Sequence, residues 1–252
     1  MVDNNLRQRL YDGDTVVGTF QIIDSAVIGE IDGYAGLDFV IIDQEHGPLT
    51  AESSLGLCAG VERGGASPVI RVRENNPSEI QRALDLGASG VQIPQIENKE
   101  DAEHAAAAAR FDPIGHRGLS KYVRAGEYHG DEDYTQMQNE TTAVIVHIEG
   151  QEAIQNISDI AAVEGIDVLF IGPYDLSQSL GIPGQIDDVR VEEKMDEICE
   201  RVKDTDAIIG TYADDPEMAN RWISAGAQYV CVSVDCALYK KAIMKMLAGV
   251  NY

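Results

Sequence analysis

A (β/α)8 barrel of the α/β class, the TIM barrel, is the fold that this sequence predicts. Three observations predict it. Short apolar runs alternate with helical patterns from one end to the other. The alternation repeats eight times in 252 residues, a length at which single α/β barrels are common. The runs are near-continuously apolar, as parallel strands covered on both faces are.

In order, "VVGTFQII" leads into the helical "DSAVIGEIDGYAG", and "DFVIID" into "TAESSLGLCAGVERGG". "SPVIRVR" leads into "NPSEIQRALDLGA", and "GVQIPQI" into "NKEDAEHAAAAARF". "TAVIVHIE" is followed by "GQEAIQNISDIAAVEG", and "DVLFIGP", after a loop, by "DDVRVEEKMDEICERVKDT". "AIIGTYA" precedes "DDPEMANRWISAGA", and "QYVCVSVD" precedes "CALYKKAIMKMLAG". Asp, Ser, Thr or Asn stands at several helix starts and Gly at several ends. An open doubly wound sheet is the competing arrangement, but no G-x-G-x-x-G or G-x-x-x-x-G-K-[ST] follows a strand. No linker interrupts the pattern, so residues 1–252 read as one domain. Residues 111–140, with "GHRGLSKYVRAGEYHGDEDY", break the rhythm and form a long polar loop expected to be functional.

A hydrophobic fraction of 44% allows a full core, but the charge is unusual: Asp+Glu is 43 against Lys+Arg 19, a formal −24. Such a field disfavours nucleic acid and anionic membranes as partners. The acids are spread along the chain, which fits a heavily solvated surface in a high-salt cytoplasm. Stability is then expected to rise with salt, and a melting temperature equal at low and molar salt contradicts this. Cys58, Cys199, Cys231 and Cys236 match neither a zinc site nor a disulfide scaffold and read as buried free thiols. The polar start "MVDNNLRQRLYDGDT" and the lack of a transmembrane-length run point to a cytoplasmic protein.

A barrel carries its active site where the strands end. The second strand ends at Asp43, with Glu45 and His46 beyond; the third holds Arg71 and ends at Arg73; the fourth carries Gln92 and Gln95; the fifth brings His147 and Glu149. The sixth leads to Asp175 and the eighth to Asp235. Glu149 and Asp175 sit at adjacent strand ends, and two carboxylates so placed need a proton or cation between them. Mg2+ or Mn2+ suits oxygen donors with waters left over. Alternatively, Glu149 is a helix N-cap and Asp175 a turn residue. Arg71, inside a strand, needs an anionic partner: a substrate carboxylate, or internally Asp43 or Glu149. His46 is placed to bond Asp43 and act as a base, or to be structural. His147 shares the barrel face of Glu149 and is expected to line the substrate pocket one layer deeper.

Together these pieces resemble the HpcH/HpaI family of class II aldolases, over nearly the whole chain. "DFVIIDQEHGP" resembles its Asp-x-Glu-His segment, and "VIRVRENNPSEIQRALDLGASGVQIPQIEN" its Arg strand, helix and Gln-x-Pro strand. "GHRGLS" resembles its Gly-x-Arg-Gly loop, and "HIEGQEAIQNISDIAAVEGIDVLFIGPYDLSQSLG" its metal segment. The resemblance implies a barrel of the phosphoenolpyruvate/pyruvate type that reversibly splits a 4-hydroxy-2-keto acid into pyruvate and an aldehyde, often with oxaloacetate decarboxylation. It implies that Glu149 and Asp175 hold a divalent metal (Mg2+ or Mn2+, with Co2+ served by the same donors) that chelates the keto acid. Arg71 then stabilises the enolate oxygen, and His46, oriented by Asp43, carries the proton. The backbone around Gly172 and Pro173 cradles the carboxylate. Asp85 enters the mouth of a neighbouring subunit in a homo-hexamer.

Two residues depart from the family pattern: His147 stands where glutamine is expected, and Tyr174 where a small alanine is, narrowing the aldehyde side. The residues themselves add one exclusion. No lysine lies in an apolar strand, and only Lys121, in the long loop, is placed to approach the mouth, so a Schiff-base aldolase is disfavoured. His116, in the same loop, is expected near the mouth as well. Two alternatives stay open: a lyase for malyl- or citryl-like CoA thioesters, and a non-catalytic keto-acid-binding barrel.

Overall fold

The computed structural model describes residues 5–250; residues 1–4 and 251–252, part of the expected domain and of its polar start, lie outside the described residues. Eight parallel strands close in sequence order into one barrel. They are β1 (Val16–Gln21), β2 (Phe39–Asp43), β3 (Ser67–Arg71), β4 (Gly90–Ile96), β5 (Ala143–Ile148), β6 (Val168–Ile171), β7 (Ile208–Ala213) and β8 (Tyr229–Val234). All eight sequence-predicted strands are present. Helix α1 (Leu6–Tyr11) precedes the barrel, and α2 (Ala26–Tyr34), α3 (Ala51–Gly64), α4 (Pro77–Asp85) and α5 (Lys99–Ala109) follow the first four strands. A short α6 (Tyr134–Thr141) leads into β5. The helix expected after β5 is two, α7 (Gly150–Gln155) and α8 (Ile157–Ala161), with Asn156 between them. Then come α9 (Pro173–Ser179), α10 (Val189–Val202), α11 (Pro216–Ser224) and α12 (Asp235–Ala248).

The strands alternate strictly between two cores, because successive side chains leave opposite faces. Ile42, Ile70, Val91, Val144, Leu169, Ile209 and Val230 pack outward against the helices. Val16, Phe39, Val69, Ile145, Val168, Ile208 and Tyr229 fill the inside, and Leu6 and Leu10 of α1 join them as a plug. Phe39 and Tyr229 stack at 4.0 Å across the interior. Gly18 of β1 makes room for that stack, since a Cβ there would collide with the Phe39 ring. The helix starts are capped as the sequence implies: Thr50 and Ser53 form a reciprocal box on α3, and Asn76, Asn98, Asp188 and Asp215 accept from the backbone of α4, α5, α10 and α11.

Three expectations need correction. The long loop does not reach this chain's own mouth. A helix returns the chain to the N-terminal end of the barrel, so a segment between α5 and β5 must lie there. Arg110 Nη1 donates to Thr142 O at the start of β5, and Arg124 Nη1 to Leu86 O near the start of β4. His116 and Lys121 are therefore remote from the mouth. The loss of Lys121 strengthens the case against a Schiff base. Second, the thiols are free, but only Cys58 and Cys231 are buried, and Cys236 is exposed. Third, the last helix meets β1 and β8 but leaves its large apolar side chains uncovered. Of α12 only Asp235 is buried, and Leu238, Tyr239, Met244 and Leu247 are exposed.

Candidate active site

The inside columns turn polar at one level. On β2 the column runs Phe39, Ile41, Asp43; on β3 it ends at Arg71, on β4 at Gln92, and on β5 at His147 with Glu149 next. Strand register pairs Asp43 with Arg71 and Arg71 with Gln92, and His147 with Phe170. A ring of functional groups thus rests on an apolar floor.

Arg71 is buried and takes the internal partner. Its Nε and Nη2 donate to the two oxygens of Asp43 at 2.9 and 2.6 Å, and its plane lies 4.6 Å over the Phe20 ring. Burial pushes the Asp43 carboxyl up, but the hydrogen bonds and charge of Arg71, with the backbone N–H groups of His46 and Glu45, pull it below its ordinary value. Arg71 Nη1 also lies 3.1 Å from Glu45 Oε2, yet out of line, so that oxygen is buried without a hydrogen bond. Burial outweighs the Arg71 charge at Glu45 and its carboxyl is raised.

The expected bond between Asp43 and the His46 imidazole is absent. Asp43 Oδ1 accepts from the backbone N–H of Glu45 and His46, and both its oxygens are engaged by Arg71 instead of the ring. The imidazole is 76% exposed, with Nε2 3.8 Å from Glu45 Oε2. Glu45, rather than Asp43, is the carboxylate beside it.

Glu149 is positioned from behind. His147 Nδ1 lies 2.6 Å from Glu149 Oε1, and His147 Nε2 lies 2.5 Å from Gln92 Nε2. Gln92 Nε2 can only donate, so the neutral imidazole accepts at Nε2 and donates from Nδ1 to Glu149. Tyr229 Oη completes the line by donating to Gln92 Oε1 at 3.3 Å. The Gln95 N–H also bonds Glu149, and Gln95 sits at φ 60 where the β4–β5 register shifts. A non-glycine residue held in the left-handed region is strain at a functional position. Burial pushes the Glu149 carboxyl up; His147, Arg71 and Gln95 together bring it below its ordinary value. Although Glu149 occupies the N-cap of α7, its side chain makes no cap hydrogen bond.

Asp175, in the first turn of α9, is exposed at the end of the barrel where Glu149 lies. Crowding by protein on its other sides raises its carboxyl, and the Glu149 charge raises it further. Gly172 accommodates it, since a Cβ at Gly172 would collide with Asp175 Oδ2. Pro173 is buried and Tyr174 is 45% exposed beside it.

These carboxylates fit a hard divalent cation. Glu149 opposes Asp175 electrostatically, the more distant His147 and Arg71 offset this only in part, and the Asp175 carboxyl stays raised. No cluster of three or more His, Cys, Asp or Glu side chains forms a closed cage among the described residues, so most coordination positions are left to substrate and water.

Asp85 is not in this chain's mouth. It lies at the far end of α4, where Arg117 Nη2 donates to it at 2.7 Å. Arg73 is bound to Glu79 on the outside, and Asp235 accepts from the backbone N–H of Ile22 and Ile23, so neither takes part.

Sequence reading of strand ends names nothing on β7, and this is where the mouth holds more than expected. Tyr174 Oη donates to Asp214 Oδ2 at 2.5 Å and Tyr212 Oη to Asp214 Oδ1 at 2.9 Å. Phe20 and Phe170 complete that wall, with Phe170 stacked 4.8 Å from His147. The alternation Ile208, Gly210, Tyr212 followed by Asp214 carried the signal.

Comparison with known proteins agrees with this geometry. The family model described as HpcH/HpaI aldolase/citrate lyase matches residues 17–242. A 2-keto-3-deoxy-L-rhamnonate aldolase of Salmonella gallinarum is 33% identical over 98% of this chain and 93% of its own. Among solved structures, an HpcH/HpaI aldolase/citrate lyase family protein of Burkholderia cenocepacia superposes with a TM-score of 0.91 at 33% identity, over 97% of this chain and 98% of that one. The citrate synthase SbnG superposes with a TM-score of 0.87 at 32% identity, over 98% and 97%.

Proposed function

This chain belongs to the HpcH/HpaI aldolase/citrate lyase family, and from that premise we propose how its mouth works as a class II aldolase, a divalent-metal-dependent aldehyde-lyase. The substrate is a 4-hydroxy-2-keto acid, cleaved reversibly to pyruvate and an aldehyde. The observation that carries this reading is the convergence of Glu149, Asp175 and Arg71 at one level of the barrel mouth.

Glu149 and Asp175 are the metal ligands in this reading, with Mg2+ or Mn2+ the metals their oxygens suit best and Co2+ a third. The metal, when bound, supplies Lewis-acid polarisation of the keto-acid carbonyl. In cleavage the C3–C4 bond breaks, its electron pair passes to C3 and the keto oxygen, and the C4 hydroxyl gives up its proton as the aldehyde forms. A proton returned to C3 gives pyruvate. Arg71, held rigid by Asp43, faces the oxygen on which charge develops, and preorganised donors there typically contribute about 3–4 kcal/mol to the barrier. His46 carries the proton, with Glu45 beside it steadying the charged imidazole. The backbone around Gly172 and Pro173 receives the keto-acid carboxylate, and His147 holds Glu149 in place. Oxaloacetate decarboxylation follows from the same half-site.

The protein works as a homo-oligomer in this reading, a hexamer in which Asp85 serves a neighbour's mouth. The exposed apolar side chains of α12 and the remoteness of Asp85 from its own mouth support it. The free thiols fit a reducing cytoplasm, and among the described residues no helix is long and apolar enough to cross a membrane.

The test is pyruvate release from a generic 4-hydroxy-2-keto acid by EDTA-treated protein, alone and with Mg2+, Mn2+ or Co2+ restored. Release that returns with metal and is absent in Glu149→Ala supports the reading. Release that persists unchanged in chelator contradicts it.

A further inference from the structure

We propose that Tyr174, Tyr212 and Asp214 form the aldehyde-recognition wall of the mouth, and that they select an uncharged, hydroxyl-bearing aldehyde over a carboxylate-bearing one. This rests on the aldolase reading above and adds the acceptor class.

The wall faces the right place. Tyr174 immediately precedes Asp175, and Tyr212 packs 6.2 Å from Phe20, the ring that lies under Arg71. A keto acid between Arg71 and Asp175 therefore presents its growing end to this side. Asp43, Arg71 and Glu45 are tied to one another.

Hydrogen-bond chemistry sets the preference. Both phenols spend their protons on Asp214, so each offers the mouth only oxygen lone pairs. The remaining lone pairs of Asp214 are acceptors too. A phenol ordinarily keeps its proton at neutral pH, so both hydrogen bonds to Asp214 stay in place there. A wall of acceptors is satisfied by a ligand that brings donors, and hydroxyl groups do so. A carboxylate brings none.

Charge points the same way. Asp43, Glu45, Glu149, Asp175 and Asp214 all lie in or beside the mouth, with Arg71 the buried cation among them, and the Asp187 charge also reaches Tyr174. With Glu149 and Asp175 taken by the metal and Asp43 paired with Arg71, Asp214 and the nearby Asp187 are the negative charges that a second carboxylate meets at this wall. The solved relative named citrate synthase superposes over the whole chain, so the shared barrel does not by itself fix the acceptor. The wall does.

The experiment is aldol addition of pyruvate to glyceraldehyde, propanal and succinic semialdehyde, by metal-loaded wild type, Asp214→Asn and Tyr174→Phe. Exchange of the pyruvate methyl hydrogens in D2O is measured alongside, and each kcat/KM is divided by the variant's own exchange rate. Wild type is expected to favour glyceraldehyde over succinic semialdehyde by about 100-fold or more, a ratio that falls at least about ten-fold in Asp214→Asn. Tyr174→Phe, an exposed change that spares the fold, is expected to shrink the preference for glyceraldehyde over propanal several-fold. Equal use of succinic semialdehyde by wild type, or ratios unmoved in both variants, overturns the assignment while leaving the aldolase reading intact. Absence of exchange in wild type with every metal overturns the aldolase reading and this one with it.

Discussion

The two ends of the barrel treat buried charge in opposite ways. At the N-terminal end Asp167 is fully buried and takes four donors: Arg7 Nε at 2.8 Å, Tyr11 Oη at 2.9 Å, Arg110 Nη2 at 3.1 Å and the Val144 N–H at 2.7 Å. Arg110, also buried, donates to Thr142 O and Gly165 O as well as to Asp167. At the C-terminal end Glu45 keeps an oxygen without a hydrogen bond, and the Glu149 charge on Asp175 is only partly offset by His147 and Arg71. A charge satisfied on every side holds the plug helix and the strand starts together. A charge left short of partners is held ready for a ligand, at a cost in stability.

The comparison breaks most sharply on carboxylates from the two ends. Asp167→Ala strands the buried Arg110 and is expected to cost about 3–5 kcal/mol of unfolding free energy. Glu149→Gln and Asp175→Asn are expected to cost little stability in metal-free protein and to reduce pyruvate release by about 1000-fold or more. Denaturant titrations and pyruvate assays on the same three samples decide it; a mouth variant as unstable as Asp167→Ala defeats the distinction.

Arg71 stands between the two cases, since it is paired like the plug yet points at the chemistry. Arg71→Lys keeps a charge beside Asp43 but loses the two-point grip, and activity is expected to fall about 100-fold with the protein still folded. Steady-state kinetics beside a melting curve reads both.

His147 sharpens the comparison on a smaller scale. His147→Leu removes the donor to Glu149 and leaves Gln92 Nε2 without its acceptor, so Mn2+ affinity is expected to fall about 10–100-fold. His147→Gln restores a donor and is expected to recover most of it, as titration calorimetry would show. Equal affinities in both variants would mean that Glu149 needs no support from behind.

The smallest effect comes from a lone acid at neither end. Asp32, on α2, has a buried oxygen without a partner, and burial, helped by the Asp235 charge, raises its carboxyl to about 6. Its protonated form is the one the fold prefers, so its contribution is complete below the ordinary 3.8 and is lost as pH rises through about 6. Asp32→Asn is expected to raise the melting temperature at pH 8 and leave it unchanged near pH 3.5. A rise equal at both pH values removes the electrostatic explanation.

Much of this was legible in the residues, for physical reasons. Parallel strands wrapped by helices must be apolar on both faces, so "DFVIID" and "DVLFIGP" announce themselves. That Glu149, Asp175 and Arg71 meet at one end was legible because a parallel barrel gathers its strand ends, although Arg73 and Asp235, read from the same ends, are bound elsewhere. Partner choice was not. Whether Asp43 would bond the His46 ring or Arg71 depends on a register between strands far apart in sequence. The Tyr229–Gln92–His147 line joins β8, β4 and β5 across the barrel interior, and no local pattern encodes it. The long loop was misplaced because its composition suggests function while its position between α5 and β5 decides its end of the barrel. Asp214 was missed because an acid after a strand looks like a helix cap, the role that Asp215 fills beside it.

The most direct measurement is Mn2+ titration calorimetry on metal-free wild type, Glu149→Gln and Asp175→Asn. The account predicts one site per chain in wild type, and its loss or near-loss in each variant. Binding of undiminished affinity in both variants would contradict the claim that the under-neutralised carboxylates of the C-terminal mouth are the functional centre.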